Sequence, residues 1–443
     1  MPSVLLLLAM HAPDGLFSLS VNLTFGLVVV LLIGRACAAL ARSHDQRLVP
    51  LMGLMAAFVF AGQMVNFPIS SGTTGHLLGG TLAAILLGPW AATVVMAAVI
   101  LFQALLGDGG LTALGPNIFN MGIVGTCLAY FVYRVFVGPA FHKPARVVAA
   151  SFFAAWLSVP LASVFVSLQL AVSGTVTLAR ALPAMVLTHM VIGVGEALIT
   201  AGVVAFVVRT RPDLLYDRPA GTSRRVGRLA AIVGLAASLV VATGLSLLPR
   251  LWDFPDGLES VGFQKGFLYE EPALAADGIV EAFSAYPLGV RLALHDGRVT
   301  ATQRYEQQAS PLMPGDVIER IESTPVTDLA AAAQALGFAP AENRFALPPG
   351  QPVHLRVARA GRELELVFPA AATPAAGAAK SRFALLPDYT VPGLTGLLST
   401  SLAGAIGTLA MFVLAFVAGR ALVRPIAPSA CAAAHASGGP THA

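Results

Sequence analysis

Nine apolar segments constrain the fold of this 443-residue chain more than any other feature. They lie near residues 17–40, 50–67, 77–88, 90–106, 117–138, 146–171, 182–208, 227–248 and 397–422. About twenty apolar residues in a helix are enough to cross the hydrocarbon core of a bilayer. Only 11% of the residues are charged, against roughly 25% in soluble domains. The sequence therefore predicts an all-α polytopic membrane bundle of about nine transmembrane helices.

Basic residues collect in the loops that would share one side of such a bundle. They are Arg35, Arg42, Arg47, Arg134, Lys143, Arg146, Arg209, Arg211, Arg218, Arg224, Arg225, Arg228, Arg420 and Arg424. Arg180 is an exception, because the same alternation puts it on the opposite side. The positive-inside rule makes the basic side cytoplasmic. We expect a bacterial or archaeal plasma-membrane protein in contact with lipid, with a cytoplasmic C-terminus. The N-terminus and residues 249–395 would be extracytoplasmic, and the net charge of +4 would reflect topology rather than nucleic-acid binding.

Residues 249–395 differ from the rest of the chain, because they hold most of its acidic residues. Within them, residues 286–369 predict a small β-rich domain with strands at 290–294, 298–304, 353–357 and 363–368. A turn at His295-Asp296-Gly297 would join the first two strands. The run Ser310–Ile318 resembles the signature of PDZ domains. The resemblance implies an extracytoplasmic PDZ-like insertion, with a peptide as its candidate ligand, although a spacer role is favoured.

Two histidine segments lie on the predicted outer side. Met10-His11-Ala12-Pro13-Asp14-Gly15 precedes the first apolar segment, and Gly72-Thr73-Thr74-Gly75-His76 connects the second to the third. A histidine near a chain start offers an imidazole, a backbone nitrogen and an amine close together. A second imidazole from a glycine-containing loop would complete an all-nitrogen site. Such ligands suit Ni²⁺, Co²⁺, Cu²⁺ or Zn²⁺ better than Mg²⁺ or Ca²⁺.

The histidine segments belong to a longer series of motifs. The series continues with Gln63-Met64-Val65-Asn66-Phe67-Pro68, His76-Leu77-Leu78-Gly79-Gly80, Leu87-Gly88-Pro89-Trp90, Gly107–Gly115 and Asn117-Ile118-Phe119-Asn120-Met121-Gly122. Residues 10–137 thereby closely resemble the CbiM/NikM family, the substrate-binding membrane components of cobalt and nickel energy-coupling-factor (ECF) transporters. Residues 227–422 resemble the accessory subunit of these transporters, through Pro255-Asp256-Gly257-Leu258-Glu259 and Pro387–Leu394.

The resemblance implies a metal held by the amine of Met10, the backbone nitrogen and imidazole of His11, and the imidazole of His76. Thr74, Asn117 and Asn120 are candidates to hold those imidazoles from behind. The metal would be Ni²⁺ or Co²⁺ as transported substrate. The implied partners are a transmembrane coupling (T) component and ABC-type ATPase subunits, since the chain has no GxxxxGK[ST] sequence of its own.

These motifs divide the chain into segments. We expect a leader or mis-assigned start (1–9), a metal-binding membrane domain of about seven spans (10–212), and a cytoplasmic basic linker (213–226). An accessory span with the Pro-Asp-Gly-Leu-Glu segment (227–285), the PDZ-like domain (286–369), a linker with an exit segment (370–396), the last span (397–422) and a cytoplasmic tail (423–443) would follow. Met10 is taken as the working N-terminus, because its amine is one of the implied ligands.

Two ionisable residues, His189 and Glu196, fall inside the seventh apolar segment and share one helix face. Ionisable residues within spans are candidates for function, but a structural hydrogen bond between helices is favoured. A transport role for the pair would instead suit an autonomous secondary divalent-metal permease, which is the main alternative. A membrane metalloprotease is disfavoured, because it needs HExxH and the sequence has none. The chain is therefore not expected to be an enzyme.

Overall fold

The computed structural model describes part of the chain. The described residues are 11–64, 66–70, 73–140, 143–217, 258, 261–262, 274–275, 278–279, 282–304, 310–339, 344–345, 347–371 and 397–424. Several predicted features lie outside them: the leader 1–9, Met10, the span at 227–248, and most of the linkers and the tail. Only Leu258 of the Pro-Asp-Gly-Leu-Glu motif is described.

The apolar segments within the described residues form helices, because a helix satisfies its own backbone hydrogen bonds where lipid offers none. The helices are α1 (Leu19–Leu40), α2 (Leu48–Gln63), α3 (Gly80–Leu87), α4 (Pro89–Leu106), α5 (Leu114–Asn117), α6 (Ala129–Val137), α7 (Pro144–Val172), α8 (Leu178–Thr210), the short α9 (Leu329–Ala335) and α10 (Leu397–Leu422). A π-helical segment, Ile118–Leu128, joins α5 to α6. Six helices in the described part are long and apolar enough to span a membrane.

The predicted count of nine spans stays a prediction, and α3 is where the structure differs from it. This helix has eight residues, about 12 Å at 1.5 Å per residue, which is less than half of a hydrocarbon core. A hairpin of β1 (Asn66–Ser70) and β2 (Thr73–His76) precedes it. α3 is therefore a half-helix that begins inside the bundle. It begins at Gly79, whose φ of +77° favours glycine.

Close backbone contacts fix α3 in place. A Cβ atom added to Gly80 would lie 2.7 Å from the carbonyl oxygen of Gly125 in the π-helical segment. A Cβ atom at Gly88 would lie 2.5 Å from the ring of Tyr216. π-Helical turns are rare and occur often at functional sites. Here the segment packs against both α4 and α7.

The loops divide between two ends of the bundle. At one end, the nitrogen of Arg424 donates to the carbonyl of Ser43, and the guanidinium of Arg47 donates to the carbonyl of Asp213. Arg134 pairs with Asp217 at the same end. At the other end, the nitrogen of Ser18 donates to Ser173, and Thr175 donates to the carbonyl of Leu16. Arg47, Arg134 and Arg424, from three of the predicted basic loops, thus lie together at the end opposite residues 11–18.

Residues 282–371 contain a separate antiparallel sheet. It has seven strands: β5 (Ala282–Ala285), β6 (Val290–His295), β7 (Arg298–Arg304), β8 (Val317–Ile321), β9 (Thr324–Pro325), β12 (Pro352–Arg359) and β13 (Arg362–Pro369), in the order β13-β12-β8-β7-β6-β5 with β9 on β8. Two-residue strands pair as β3 (Leu274–Ala275) with β4 (Gly278–Ile279), and as β10 (Phe338–Ala339) with β11 (Arg344–Phe345).

The strand predictions in this region are confirmed. Residues 290–294, 298–304, 353–357 and 363–368 lie in β6, β7, β12 and β13. The turn between β6 and β7 uses positive φ at both Asp296 and Gly297, which is the geometry of a tight hairpin. Asp328 caps α9 by accepting from the nitrogen of Ala331. The PDZ-like character of the sheet stays a prediction.

Candidate metal site

The segment that begins at His11 is held in the bundle through the backbone of Ala12 and the side chain of Asp14. Asn117, at the end of α5, accepts from the nitrogen of Ala12 at 3.1 Å and donates to its carbonyl oxygen at 3.0 Å. Asp14 accepts from both the nitrogen and the hydroxyl of Thr112. An extended segment without a partner strand would leave such groups unpaired. Asn117 therefore pairs the backbone groups of Ala12 as a neighbouring strand would, and Thr112 binds the side chain of Asp14.

The imidazole of His11 is buried against a carboxylate. Its Nδ1 atom lies 3.1 Å from Oδ1 of Asp108, and the two side chains are 1% and 2% exposed. Its Nε2 atom is also buried, and it finds no hydrogen-bond partner within the described part of the chain. Burying a polar nitrogen without a partner is costly. The ring is therefore fixed from one side by Asp108, and its other nitrogen remains available to a ligand.

Glycines allow the Gly107–Gly115 stretch to lie this close to His11. A Cβ atom at Gly109 would lie 2.6 Å from Cβ of His11, and one at Gly110 would lie 2.3 Å from the nitrogen of Asp14. Both distances are shorter than real Cβ contacts. Gly109 also has a φ of +98°, which other residues rarely adopt. This stretch thus serves as the wall behind the His11 segment.

His76 ends the β1–β2 hairpin, and the residues after it are anchored to two helices. The amides of Leu78 and Gly79 donate to Oε2 and Oε1 of Glu196 in α8, at 2.7 and 2.9 Å. The carbonyl of Leu78 accepts from Gln63 at the end of α2. A carboxylate at these amides also complements the positive N-terminal end of α3. Glu196 therefore positions the loop that carries His76.

The two histidines meet at one cavity of about 80 Å³. Their ring centres are 6.3 Å apart, with 27° between the ring planes. Both rings therefore border the same space. The cavity lining is His11, Ala12, Gly75, His76, Leu78, Asn117, Asn120, Met121, Val159, Ala162, Ser163, Val166, Met185, His189, Ile192 and Leu258. The cavity therefore has room for an ion, and part of its wall carries the polar side chains of His11, His76 and Asn117.

The other residues singled out from the sequence have different positions. Asn120 is buried and exchanges two hydrogen bonds with Gln169 of α7, at 2.7 and 3.0 Å. Thr74 lies in β2. His189 lines the cavity, with its Nδ1 atom 2.7 Å from the carbonyl of Met185. Glu196 binds the loop instead, so the structure gives these two residues separate partners. Met10 lies outside the described residues.

The structure adds Asp108 and Gln63, which the sequence did not single out. Both stand in motifs that were recognised, Gly107–Gly115 and Gln63–Pro68, but nothing in the sequence pairs them with particular partners. The signal that the sequence offered for Asp108 was a carboxylate within a recognised motif, because imidazole ligands usually have such a hydrogen-bond partner behind them. Within the described residues, no three His, Cys, Asp or Glu side chains converge as a metal-ligand group.

The fold and the cavity define a class: a polytopic membrane protein with a buried cavity that is lined in part by histidines. The family model described as "Cobalt uptake substrate-specific transmembrane region" (CbiM) matches residues 11–214. A second model, the PDGLE domain, matches residues 360–424, which include the exit segment and α10.

Two curated relatives and one solved structure are similar to part of this chain. A putative fused nickel transport protein NikMN from Archaeoglobus fulgidus is 37% identical over 268 residues, which cover 59% of this chain and 86% of that protein. A fused nickel transport protein NikMN from Rhodobacter capsulatus is 37% identical, covering 54% and 73%. The crystal structure of a truncated transition metal transporter is 33% identical, with a TM-score of 0.41, covering 45% and 98%. The chain belongs to the CbiM/NikM family of cobalt and nickel transport proteins, and it carries a fused PDGLE domain.

Proposed function

We propose that this protein is the substrate-capture (S) component of an ATP-driven ECF-type importer for Ni²⁺ or Co²⁺. The observation that carries the proposal is the pair of imidazoles, His11 and His76, delivered by separate segments to one buried cavity. Each imidazole offers a nitrogen donor, and Nε2 of His11 has no hydrogen-bond partner among the described residues. Borderline divalent ions prefer nitrogen donors of this kind. The protein is accordingly a transporter component and not an enzyme.

The proposed ligands are Met10, His11 and His76. A backbone nitrogen and an imidazole of one histidine chelate the same ion through Nδ1, because Nε2 lies on the far edge of the ring. In the structure Nδ1 of His11 lies against Asp108. Binding of the ion would therefore require the imidazole of His11 to rotate about its Cβ–Cγ bond, so that Nε2 donates to Asp108 and Nδ1 binds the ion. Asp108, Asn117 and the His76 loop would hold the ligands in both states.

The arrangement of the loops supports the proposed orientation. The contacts among Ser43, Arg47, Asp213, Asp217 and Arg424 gather the basic loops at one end of the bundle. This end would be cytoplasmic under the positive-inside rule. The entrance to the metal site would then face outward, where a nutrient ion arrives. The proposed T component and ABC-type ATPase subunits would act from the cytoplasmic side, within a plasma membrane.

The domain division is part of the proposal. Residues 10–212 would bind the metal, and 286–369 would form the extracytoplasmic PDZ-like domain. A spacer or stabilising role is favoured for that domain over reading of a peptide. An autonomous permease would be distinguished by uptake, since it would accumulate Ni²⁺ or Co²⁺ in cells that lack the T component and ATPase.

The site is tested by His76→Ala in the full chain, purified in detergent and titrated with NiCl₂ and CoCl₂. We expect the loss of one nitrogen ligand to weaken binding beyond the ~10–100-fold typical of groups behind a ligand. His44→Ala is the matched control, because His44 is exposed in the loop before α2. Unchanged affinity of the His76 variant, with the wild-type protein binding either ion, would refute the site.

A further inference from the structure

A third imidazole, His189, faces the same cavity as His11 and His76. It lies on α8, where the wall of the cavity is otherwise formed by Met185 and Ile192. Even partial burial of a histidine in an otherwise apolar stretch of wall costs free energy unless its nitrogens have polar partners.

The hydrogen bond of His189 selects its tautomer. Its Nδ1 atom is 2.7 Å from the carbonyl oxygen of Met185, one helical turn earlier. A carbonyl oxygen only accepts hydrogen bonds, so Nδ1 carries the proton and Nε2 keeps its lone pair. Metal-binding histidines are commonly held in this way, with the non-ligating nitrogen donating to a backbone carbonyl. His189 is therefore prepared to bind an ion through Nε2.

The helix that carries His189 also anchors the loop that carries His76. Glu196 lies two turns further along α8, and its carboxylate binds the amides of Leu78 and Gly79. His11 is held by other elements, through Asp108 after α4 and through Asn117 on the adjoining backbone. Movement of the N-terminal segment would thus leave the spacing of His76 and His189 unchanged.

The three imidazoles do not form one compact group, as no cluster of three such ligands occurs among the described residues. They can instead be taken as two pairs, His11 with His76 and His76 with His189. We propose that His76 and His189 form a second metal-binding position, which receives the ion when the N-terminal segment releases it. This inference rests on the proposed function.

The exchange is a substitution of ligands at one ion. His76 stays bound, the amine of Met10 and the imidazole and backbone nitrogen of His11 leave, and Nε2 of His189 enters. The backbone nitrogen takes a proton from water on leaving. The second position has fewer nitrogen donors than the first, so it binds the ion more weakly and lets it move on.

The experiment uses the full chain and NiCl₂ as the probe. His189→Asn keeps a side-chain N–H near the place of Nδ1 and removes the Nε2 donor. In the His11→Ala background, which disables the N-terminal site, we expect residual weak Ni²⁺ binding that falls at least ~10-fold when His189→Asn is added. Val191→Ala is the matched control in the same background, because Val191 is 50% exposed on the outer face of α8; it should change nothing.

Uptake provides the second measurement. Cells that produce the other transporter components should accumulate Ni²⁺ at least ~10-fold more slowly with the single His189→Asn variant, while the purified variant still binds Ni²⁺ tightly. That retained binding shows that the variant is folded. Wild-type uptake by His189→Asn, or residual binding in the His11→Ala background that His189→Asn leaves unchanged, would overturn the second position. A wild-type protein that binds neither Ni²⁺ nor Co²⁺ would instead refute the proposed function.

Discussion

The substitution Glu196→Gln tests whether a residue that is not a ligand controls the metal site. Both oxygens of Glu196 accept from amides of the loop after His76, at 2.7 Å from Leu78 and 2.9 Å from Gly79. Glutamine is nearly the same size, but it replaces one acceptor oxygen with an amino group. That group cannot accept, so one buried amide would face another donor.

The magnitude follows from these two hydrogen bonds. A hydrogen bond to a charged group contributes about 1.5–3 kcal/mol, and a buried donor left unpaired costs about 1–3 kcal/mol. Loss of the negative charge at the N-terminal end of α3 removes a further ~0.3–1 kcal/mol. The first two figures describe the same lost contact, so only one of them is counted, and we expect the ordered state of the loop to be destabilised by about 2–4 kcal/mol. Since 1.4 kcal/mol corresponds to a factor of ten, Ni²⁺ affinity should fall at least ~10-fold, although His76 itself is intact.

The assay is calorimetric titration of the purified full chain with NiCl₂, together with thermal unfolding of the same samples. Thr200→Val is the matched control, because Thr200 is buried one turn further along α8 and its hydroxyl has no hydrogen-bond partner among the described residues. The control should bind Ni²⁺ like the wild type. An affinity for Glu196→Gln within about twofold of wild type would refute the argument that this carboxylate positions the His76 loop.

Three further outcomes are expected. Asp108→Asn should weaken Ni²⁺ binding by ~10–100-fold and shift the visible absorption of the bound ion, because the His11 ring loses the carboxylate that orients it; an unchanged spectrum and affinity would contradict this. A protein that begins at Met10 should bind Ni²⁺ far more tightly than an intact chain from Met1, checked by mass spectrometry and titration, and equal affinities would exclude the amine as a ligand. In the sheet, burial raises the pKa of Asp316, but hydrogen bonds from Arg359 and a backbone amide, with the charge of Arg359, lower it overall below its ordinary 3.8. The protection factors of the sheet amides, which correct exchange rates for the pH dependence of intrinsic exchange, should therefore fall as the pH falls through and below about 4. Asp316→Asn should abolish that fall.

The sequence alone determined the features that depend on local pattern. The length and low polarity of the apolar segments predict helices in lipid, and six such helices are found in the part of the chain that the structure describes. The hairpin at Asp296-Gly297 follows from residues that tolerate positive φ. The two histidine segments were found because long motifs surround them. Each of these signals is complete within a short stretch of chain, so no knowledge of packing is needed to detect it.

Only the tertiary structure decided which side chains act together. His11 and Asp108 are 97 residues apart in sequence, and Leu78 and Glu196 are 118 apart. The spacing of His189 and Glu196, seven residues apart, places them on one helix face. It does not reveal that one lines the cavity and the other holds a loop. The sequence predicts a span where the structure has the half-helix α3, because apolar length does not show where a chain enters the bundle. Such pairings depend on how the helices pack, and many packings are compatible with the same apolar pattern.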